Sequence, residues 1–453
     1  MDGESLSNQL ANLSPEKRAL LGLRLRRKGA RASAEQIIPR RANRDRAPLS
    51  FGQQRLWFLD QFEPDSPLYN ISKAVRLSGR LNVAALKQSL NEIVARHEVL
   101  RTTFACIDGS PVQVIVESGS IELPLIDLSD WPDAGREEEV RRLLKEEAQR
   151  PFNLASDLML RSQLLRLAEE ENVLLLMMHH IASDGWSMGV LFRELSILYE
   201  AFSNGKPSPL QELPIQYADF AVWQRQWLQG EVLEAELSYW KKRLDGVPTL
   251  QSPFDRPRPP VQSFRGARQS LMLSKTLTKE LKALSRHQGV TVFMTLLAAF
   301  QTLLHRYTGQ DDIVVGSPIA NRNRLETEGL IGFFVNTLVL LTDLSGNPSF
   351  RDLLGRVREV ALGGYAHQDL PFERLVEELQ PERAPGWTPL FQVMFVLQNA
   401  PIESLKLVGL SVSPLNVDSE TAKFDVNLSM WEEAEGLRGS LEYNTSYNQK
   451  VWK

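Results

Sequence analysis

At the end of the apolar run Val173-Leu174-Leu175-Leu176-Met177-Met178 stand two adjacent histidines, His179 and His180, with Asp184 and Gly185 a few residues beyond. An imidazole ionises near neutrality, so either ring can take a proton from an attacking nucleophile or hydrogen-bond a tetrahedral intermediate. The run has strand length, and neighbours on a strand face opposite ways, so His179 and His180 are not expected to share one cavity. That geometry argues against a two-histidine metal site and for one working imidazole beside one structural one. His180, nearer the turn, is the candidate for proton transfer, and His179 the brace of the loop. Asp184 suits either a general base or a helix cap and ion-pair member, since it directly precedes a helical pattern. Gly185 is small enough to leave room beside the turn and can also supply a turn conformation, and the two readings are compatible.

Holding these groups requires a buried strand, a short turn and a helix. Val190, Leu191, Leu195 and Leu198 carry the helical period after the turn. Upstream, Ile71 to Leu77 alternates like a half-buried strand, and Val83 to Val99 is apolar at helical spacing. Arg96 and Arg101 follow at the helix-to-strand change, either as surface charge or as buried partners of an acid. Strands are expected at Val112 to Val116 and near Ile121, with a charged surface helix from Glu137 to Gln149. A Gly/Pro/Ser-rich link at Asn204 to Pro209 precedes Tyr217, Phe220, Trp223, Trp227 and Trp240, whose spacing suits helix packing. Past the proline-rich Pro253 to Pro260, the helical pattern from Val290 to Tyr307 runs into a strand ending at Gly316, repeating the order of Val83 to Phe104. Two similar halves around a shared cleft account for both length and repetition.

The beginning has a different texture. Ser14-Pro15-Glu16 is a helix start, and arginines from Arg24 to Arg46 crowd the stretch up to Pro48, a tether that either docks on a partner or is simply solvated. With 453 residues the chain exceeds one ordinary core, and 43% hydrophobic with 24% charged residues is ordinary for a globular protein. A net charge of −4 supplies no basic field for nucleic acid, and no apolar run reaches membrane-spanning length. Cys106 is the only cysteine, which excludes an intramolecular disulfide and a thiolate metal cluster and makes the cytoplasm the expected compartment. No GxSxG elbow, Walker loop or GxGxxG fingerprint is evident.

HHIASDG resembles the HHxxxDG signature of condensation domains of nonribosomal peptide synthetases. Six further segments fall in that family's order: LSFGQQRLWFLDQ from Leu49, RHEVLRTTF from Arg96, YADFAVWQ from Tyr217, IGFFVNTL from Ile331, HQDLPFE from His367 and TPLFQVMF from Thr388. The resemblance covers the chain from about Leu49 to its end. It implies an α/β (α+β) fold of two chloramphenicol-acetyltransferase-like lobes, a V-shaped pseudo-dimer with the histidine loop at the centre of a tunnel. Residues 1–47 would be a helical linker or docking segment, 48–205 the N-terminal lobe and 206–453 the C-terminal lobe. The implied reaction joins a donor acyl or peptidyl thioester to the amine of an acceptor aminoacyl thioester. Both would arrive on phosphopantetheine arms of carrier protein domains, with no covalently bound cofactor, and an adenylation domain would adjoin in a parent polypeptide.

Absences narrow the resemblance. The histidines stand where heterocyclising relatives carry aspartates, and no EGHGRE-like segment of epimerising relatives is found. HHIASDGWSMGV and YADFAVWQRQW look most like domains joining an L-configured or achiral donor to an L-acceptor. Starter domains, which N-acylate the first amino acid from a fatty acyl-CoA donor, look similar, and a catalytically idle recruitment scaffold is the non-enzymatic alternative. In the family the aspartate of the signature is tied to an arginine, for which Arg96 is the first candidate and Arg101 the second. Asn336, within IGFFVNTL, offers an amide to substrate or to the opposing lobe.

Overall fold

The computed structural model describes residues 37–250, 264–380, 388–398, 405–417 and 420–446. The leader helix expected at Ser14 and the proline-rich segment Pro253 to Pro260 lie outside them.

The first half begins with β1 (Arg46–Pro48), α1 (Phe51–Phe62), β2 (Asn70–Ser78) and α2 (Val83–Arg96), then β3 (Thr102–Ile107), β4 (Ser110–Ile115) and β5 (Leu125–Asp127). It continues through α3 (Asp133–Gln149), β6 (Leu160–Ala168), β7 (Glu171–His179) and α4 (Gly185–Ser203). Ser50 starts α1 with a reciprocal cap: its hydroxyl accepts from Gln53 N, and its own N–H donates to Gln53 Oε1, both at 3.1 Å. The β7 run is apolar throughout because it is central: β2 and β6 flank it antiparallel, and every residue from Asn172 to His179 is buried.

α5 (Tyr217–Trp227) and α6 (Gly230–Leu244) bridge the halves. The second half runs through β8 (Gly266–Ser274), α7 (Lys275–His287), α8 (Val292–Thr308), β9 (Asp312–Ile319), α9 (Leu325–Glu328) and β10 (Asn336–Asp343). It closes with α10 (Phe350–Ala366), α11 (Phe372–Leu379), β11 (Val393–Gln398), β12 (Ser411–Leu415), β13 (Val426–Glu433) and β14 (Gly436–Asn444).

The strands form a five-stranded sheet ordered β12-β2-β7-β6-β5, a three-stranded sheet β1-β4-β3 and a six-stranded sheet β10-β9-β11-β13-β14-β8. β12 belongs to the second half by sequence yet pairs with β2, so the halves are joined by backbone hydrogen bonds as well as side chains.

Two hydrophobic cores result, and they correct the expected boundaries. Tyr217, Phe220 and Trp223 of α5 pack into the first core, together with Leu330, Ile331 and Phe334. The second core takes over at Leu228, so residue 205 does not divide the packing. Residues 37–48 are not a tether either. Ile38 is 1% exposed in the first core, β1 pairs with β4, and the buried Arg41 guanidinium binds Glu98 at 2.7 Å and Asp219 at 2.8 Å. A basic run reads as solvated in sequence because its acids lie far along the chain. Among the described residues no single helix is long and apolar enough to cross a membrane.

Candidate active site

β7 ends at His179, and a single 3-10 turn from His180 to Ala182 replaces the strand before Asp184 caps α4. The alternation argument therefore fails at the pair itself, since His180 is no longer on the strand. Both rings lie edge-on to the Tyr69 ring, with centroid separations of 6.4 Å for His179 and 6.5 Å for His180.

The two imidazoles are nevertheless held differently. His179 is buried, its Nδ1 accepts from Ile181 N at 3.2 Å, and Phe152 packs on its ring at 5.9 Å. Burial, with the charges of Lys423 and Arg161 behind it, pushes its pKa down to about 3. His180 keeps some exposed surface, and Phe333 of the second half packs against it at 5.5 Å. Its Nδ1 lies 3.0 Å from the Ser183 carbonyl oxygen, which can only accept, so the proton sits on Nδ1 and the Nε2 lone pair is open. Burial first, then Lys423 and His179, hold this imidazole well below its ordinary pKa, against the opposing hydrogen bond to Ser183. At neutral pH the ring is an uncharged proton acceptor.

Asp184 is fully engaged. Its Oδ1 accepts from Ser187 N and Ser187 Oγ, both at 2.8 Å, its Oδ2 accepts from Phe334 N at 3.0 Å, and Arg322 reaches Oδ1 at 3.2 Å. The aspartate is thus both a helix cap and an ion-pair member, and no lone pair faces a substrate as a base would need. Arg322 also donates to the Leu330 carbonyl at 2.8 Å and to that of Thr327, and its guanidinium lies 4.1 Å from the Phe334 ring centroid. Ser187 Oγ completes the staple: its single proton lies between Asp184 Oδ1 and Gly332 O, each at 2.8 Å, while the oxygen accepts from Gly332 N at 3.0 Å and from Arg322 Nη2 at 2.8 Å.

The arginine expected opposite Asp184 is therefore neither Arg96 nor Arg101. Arg96 binds Glu194 at 3.1 Å, beside His97 Nε2 at 2.9 Å from the same carboxylate. Burial opposes the charge on Glu194, but the His97 hydrogen bond and the two neighbouring groups hold its pKa low. Arg101 donates to the Val116 carbonyl. Arg96 and Arg101 flank a turn whose direction sequence spacing cannot supply. The Asn336 amide is taken up within the protein: it donates to Gln368 O at 2.9 Å and Leu370 O at 2.7 Å, and its oxygen accepts from Thr337 N and Phe372 N. It ties IGFFVNTL to HQDLPFE within the second half.

Gly185 has no left-handed φ, so no turn conformation demands it, and a Cβ placed there would meet nothing within 4 Å. What glycine leaves at that point is open space beside the histidine turn. At Gly332, by contrast, a Cβ would lie 2.1 Å from the Tyr217 ring. That close approach lets the Tyr217 hydroxyl donate to Phe333 O while lying 2.8 Å from Ser50 Oγ, joining three of the sequence segments at one point.

Sequence reasoning missed two cations. Arg322 lies in Ala320-Asn321-Arg322, just past β9 and ahead of IGFFVNTL, a position that could have marked it. Lys423, ahead of β13, carries its ammonium 4.7 Å from the Tyr69 ring centroid, on the ring both histidines touch. Among the described residues there is no group of three histidine, cysteine or acidic side chains that could hold a metal ion.

A family model described as "Condensation domain" matches residues 43–453. A linear gramicidin synthase polypeptide of Brevibacillus parabrevis is 55% identical over 400 residues, 88% of this chain and 8% of that protein. Phosphinothricin tripeptide synthetase PhsC of Streptomyces viridochromogenes is 43% identical over 451 residues, 99% of this chain and 41% of that protein. The chain thus spans under half the length of either relative. Among solved structures, the X-domain from teicoplanin biosynthesis superposes with a TM-score of 0.83 at 28% identity, covering 91% of this chain and 93% of that one.

Proposed function

The chain belongs to the condensation-domain family of nonribosomal peptide synthetases, and on that premise we propose that it forms an amide bond between a donor acyl or peptidyl thioester and an acceptor aminoacyl thioester. The amine nitrogen attacks the thioester carbonyl carbon, the C–N bond forms as the C–O π pair moves to oxygen, and collapse breaks the C–S bond. His180 Nε2 takes the proton the amine loses and returns it to the leaving thiolate. An imidazole this weakly basic acts first as the hydrogen-bond acceptor that orients the amine. It takes the proton once C–N bond formation has made that nitrogen acidic.

The observation that carries this reading is the His180 Nδ1 to Ser183 O hydrogen bond at 3.0 Å, which fixes the tautomer and leaves Nε2 as the acceptor. His179 and Asp184 support the loop in this account, and the open space at Gly185 suits a pantetheine arm. Both substrates would be phosphopantetheine-tethered and presented by carrier domains, with an adenylation domain adjoining, all in the cytoplasm. The preferred subtype joins an L-configured or achiral donor to an L-acceptor.

The test is a mass-spectrometric assay with a donor and an acceptor each loaded on carrier domains. His180→Ala, folded as judged by its thermal transition, is expected to lose about 10²–10⁴-fold in amide formation. Wild-type turnover by that variant overturns the role of His180. Turnover with acyl-CoA but not with a carrier-bound donor overturns the subtype in favour of starter acylation.

A further inference from the structure

Lys423 has no hydrogen bond and no ion pair among the described residues. Its backbone is clamped on both sides, by Ala422 N to Phe264 O at 2.8 Å and Asp425 N to Gln392 O at 3.0 Å, so the side chain is aimed rather than free. The carboxylate acting on it, Glu442, is already bound by Arg268 through Nε at 3.1 Å and Nη2 at 3.0 Å. An ammonium taken out of water without an anion is costly, so such a group is kept where its field is used.

We propose that Lys423 is a positioning residue of the amide-forming site, a cation that the second half sets on the Tyr69 ring so that its charge faces the imidazoles of His179 and His180. The Tyr69 ring accommodates the ammonium at 4.7 Å from its centroid, and both histidine rings lie against the same ring at steep interplanar angles. The charge adds to burial in disfavouring a second cation on either imidazole, and so helps keep the Nε2 lone pair of His180 available at working pH. The inference rests on the amide-forming reading, in which that lone pair receives the amine.

The charged groups around this cluster come from several elements. Arg55 of α1 and Glu442 of β14 act on Lys423, whose pKa burial lowers to about 8, while Arg161 of β6 acts on His179. His180 faces Lys423, His179 and the Ser183 carbonyl. Arg161 stacks its guanidinium on Phe152 at 3.8 Å, donates to Pro151 O and acts on His179 but not on His180, which leaves Lys423 as the cation common to both imidazoles.

The experiment titrates the histidine side chains by NMR in the intact protein, with no carrier or thioester present, and assigns the His180 signal with His180→Ala. In Lys423→Met the His180 midpoint is expected to rise by about 1 unit or more, and Lys423→Arg to restore it. The acid limb of amide formation should move the same way in the carrier assay. An unchanged His180 midpoint in a folded Lys423→Met protein overturns the proposal, as does an equal shift in Lys423→Arg, which would make the effect one of packing. Should Lys423→Met not fold, Lys423→Gln replaces it with the same two outcomes. Because the titration uses no substrate, its failure sinks the Lys423 role alone. Loss of His180 dependence in the carrier assay sinks the reaction on which that role rests.

Discussion

Asp184 and Arg322, separated by 138 residues, meet at 3.2 Å with side chains 4% and 1% exposed. The pair joins the turn carrying the histidines to the loop of the second half that packs Phe333 against His180. Its energetic weight follows from burial. Each charge has given up water, and removing one partner leaves the other uncompensated.

Arg322→Met should therefore cost ~3–5 kcal/mol of stability, and Asp184→Asn, which keeps a capping oxygen, a similar or smaller amount. The double variant should fall short of the sum by on the order of 1 kcal/mol or more, because the second change no longer breaks a pair. Denaturant unfolding of the four proteins checks this. Additive losses would mean that the two groups contribute separately, through the cap and through the carbonyls that Arg322 binds.

What could be read from the chain and what could not divides along this same pair. Strand β7, helix α4 and the aromatic packing of α5 follow from local period and composition, because an apolar run of strand length and a 3.6-residue stripe each state their own burial. The resemblance of seven segments supplied the fold. Asp184 could be placed as a cap and ion-pair member from its position before α4, but its partner could not be chosen. Arg96, Arg101 and Arg322 differ in sequence only by neighbours, and the choice among them is made by how two halves meet. Lys423 escaped for the same reason: its relation to the histidines passes through Tyr69, a residue in no motif. His180 was singled out as the histidine nearer the turn, and the alternation argument that set the two rings on opposite faces does not apply to it, because a 3-10 turn replaces the strand at that residue.

His179 gives a pH dependence of definite sign. Its folded pKa is depressed to about 3 by burial and by the charges of Lys423 and Arg161. The unfolded ring titrates at about 6.5, so between those values the unfolded chain binds a proton the native state refuses, and stability rises with pH. This contribution is fully present above pH ~6.5 and is lost as pH falls toward 3, at about 1.4 kcal/mol per unit within the window. His179→Asn keeps an acceptor for Ile181 N and cannot titrate. Its stability should decline less steeply than wild type from pH 6.5 downward; parallel profiles would show that the buried ring does not exclude the proton.

The two ends of the stretch before α1 should separate in a truncation series. The sequence suggests one leader to residue 47 that receives an upstream donor carrier, yet Ile38, Arg41 and β1 are built into the first half. Removing residues 1–48 takes away the guanidinium that satisfies Glu98 and Asp219 together, leaving two buried carboxylates without their cation. Removing residues 1–36 leaves that network whole. The longer truncation is thus expected to be less stable than the shorter by several kcal/mol, on the order of breaking a buried ion pair, and to lose activity toward every donor. The shorter should transfer normally from a small soluble thioester and be weakened only with a carrier-bound donor, if the leader docks that carrier. Thermal unfolding and paired donor assays on the two truncations read both effects. Equal stability of the two would contradict the integration of Arg41, and equal transfer by the shorter one from both donors would remove the docking role.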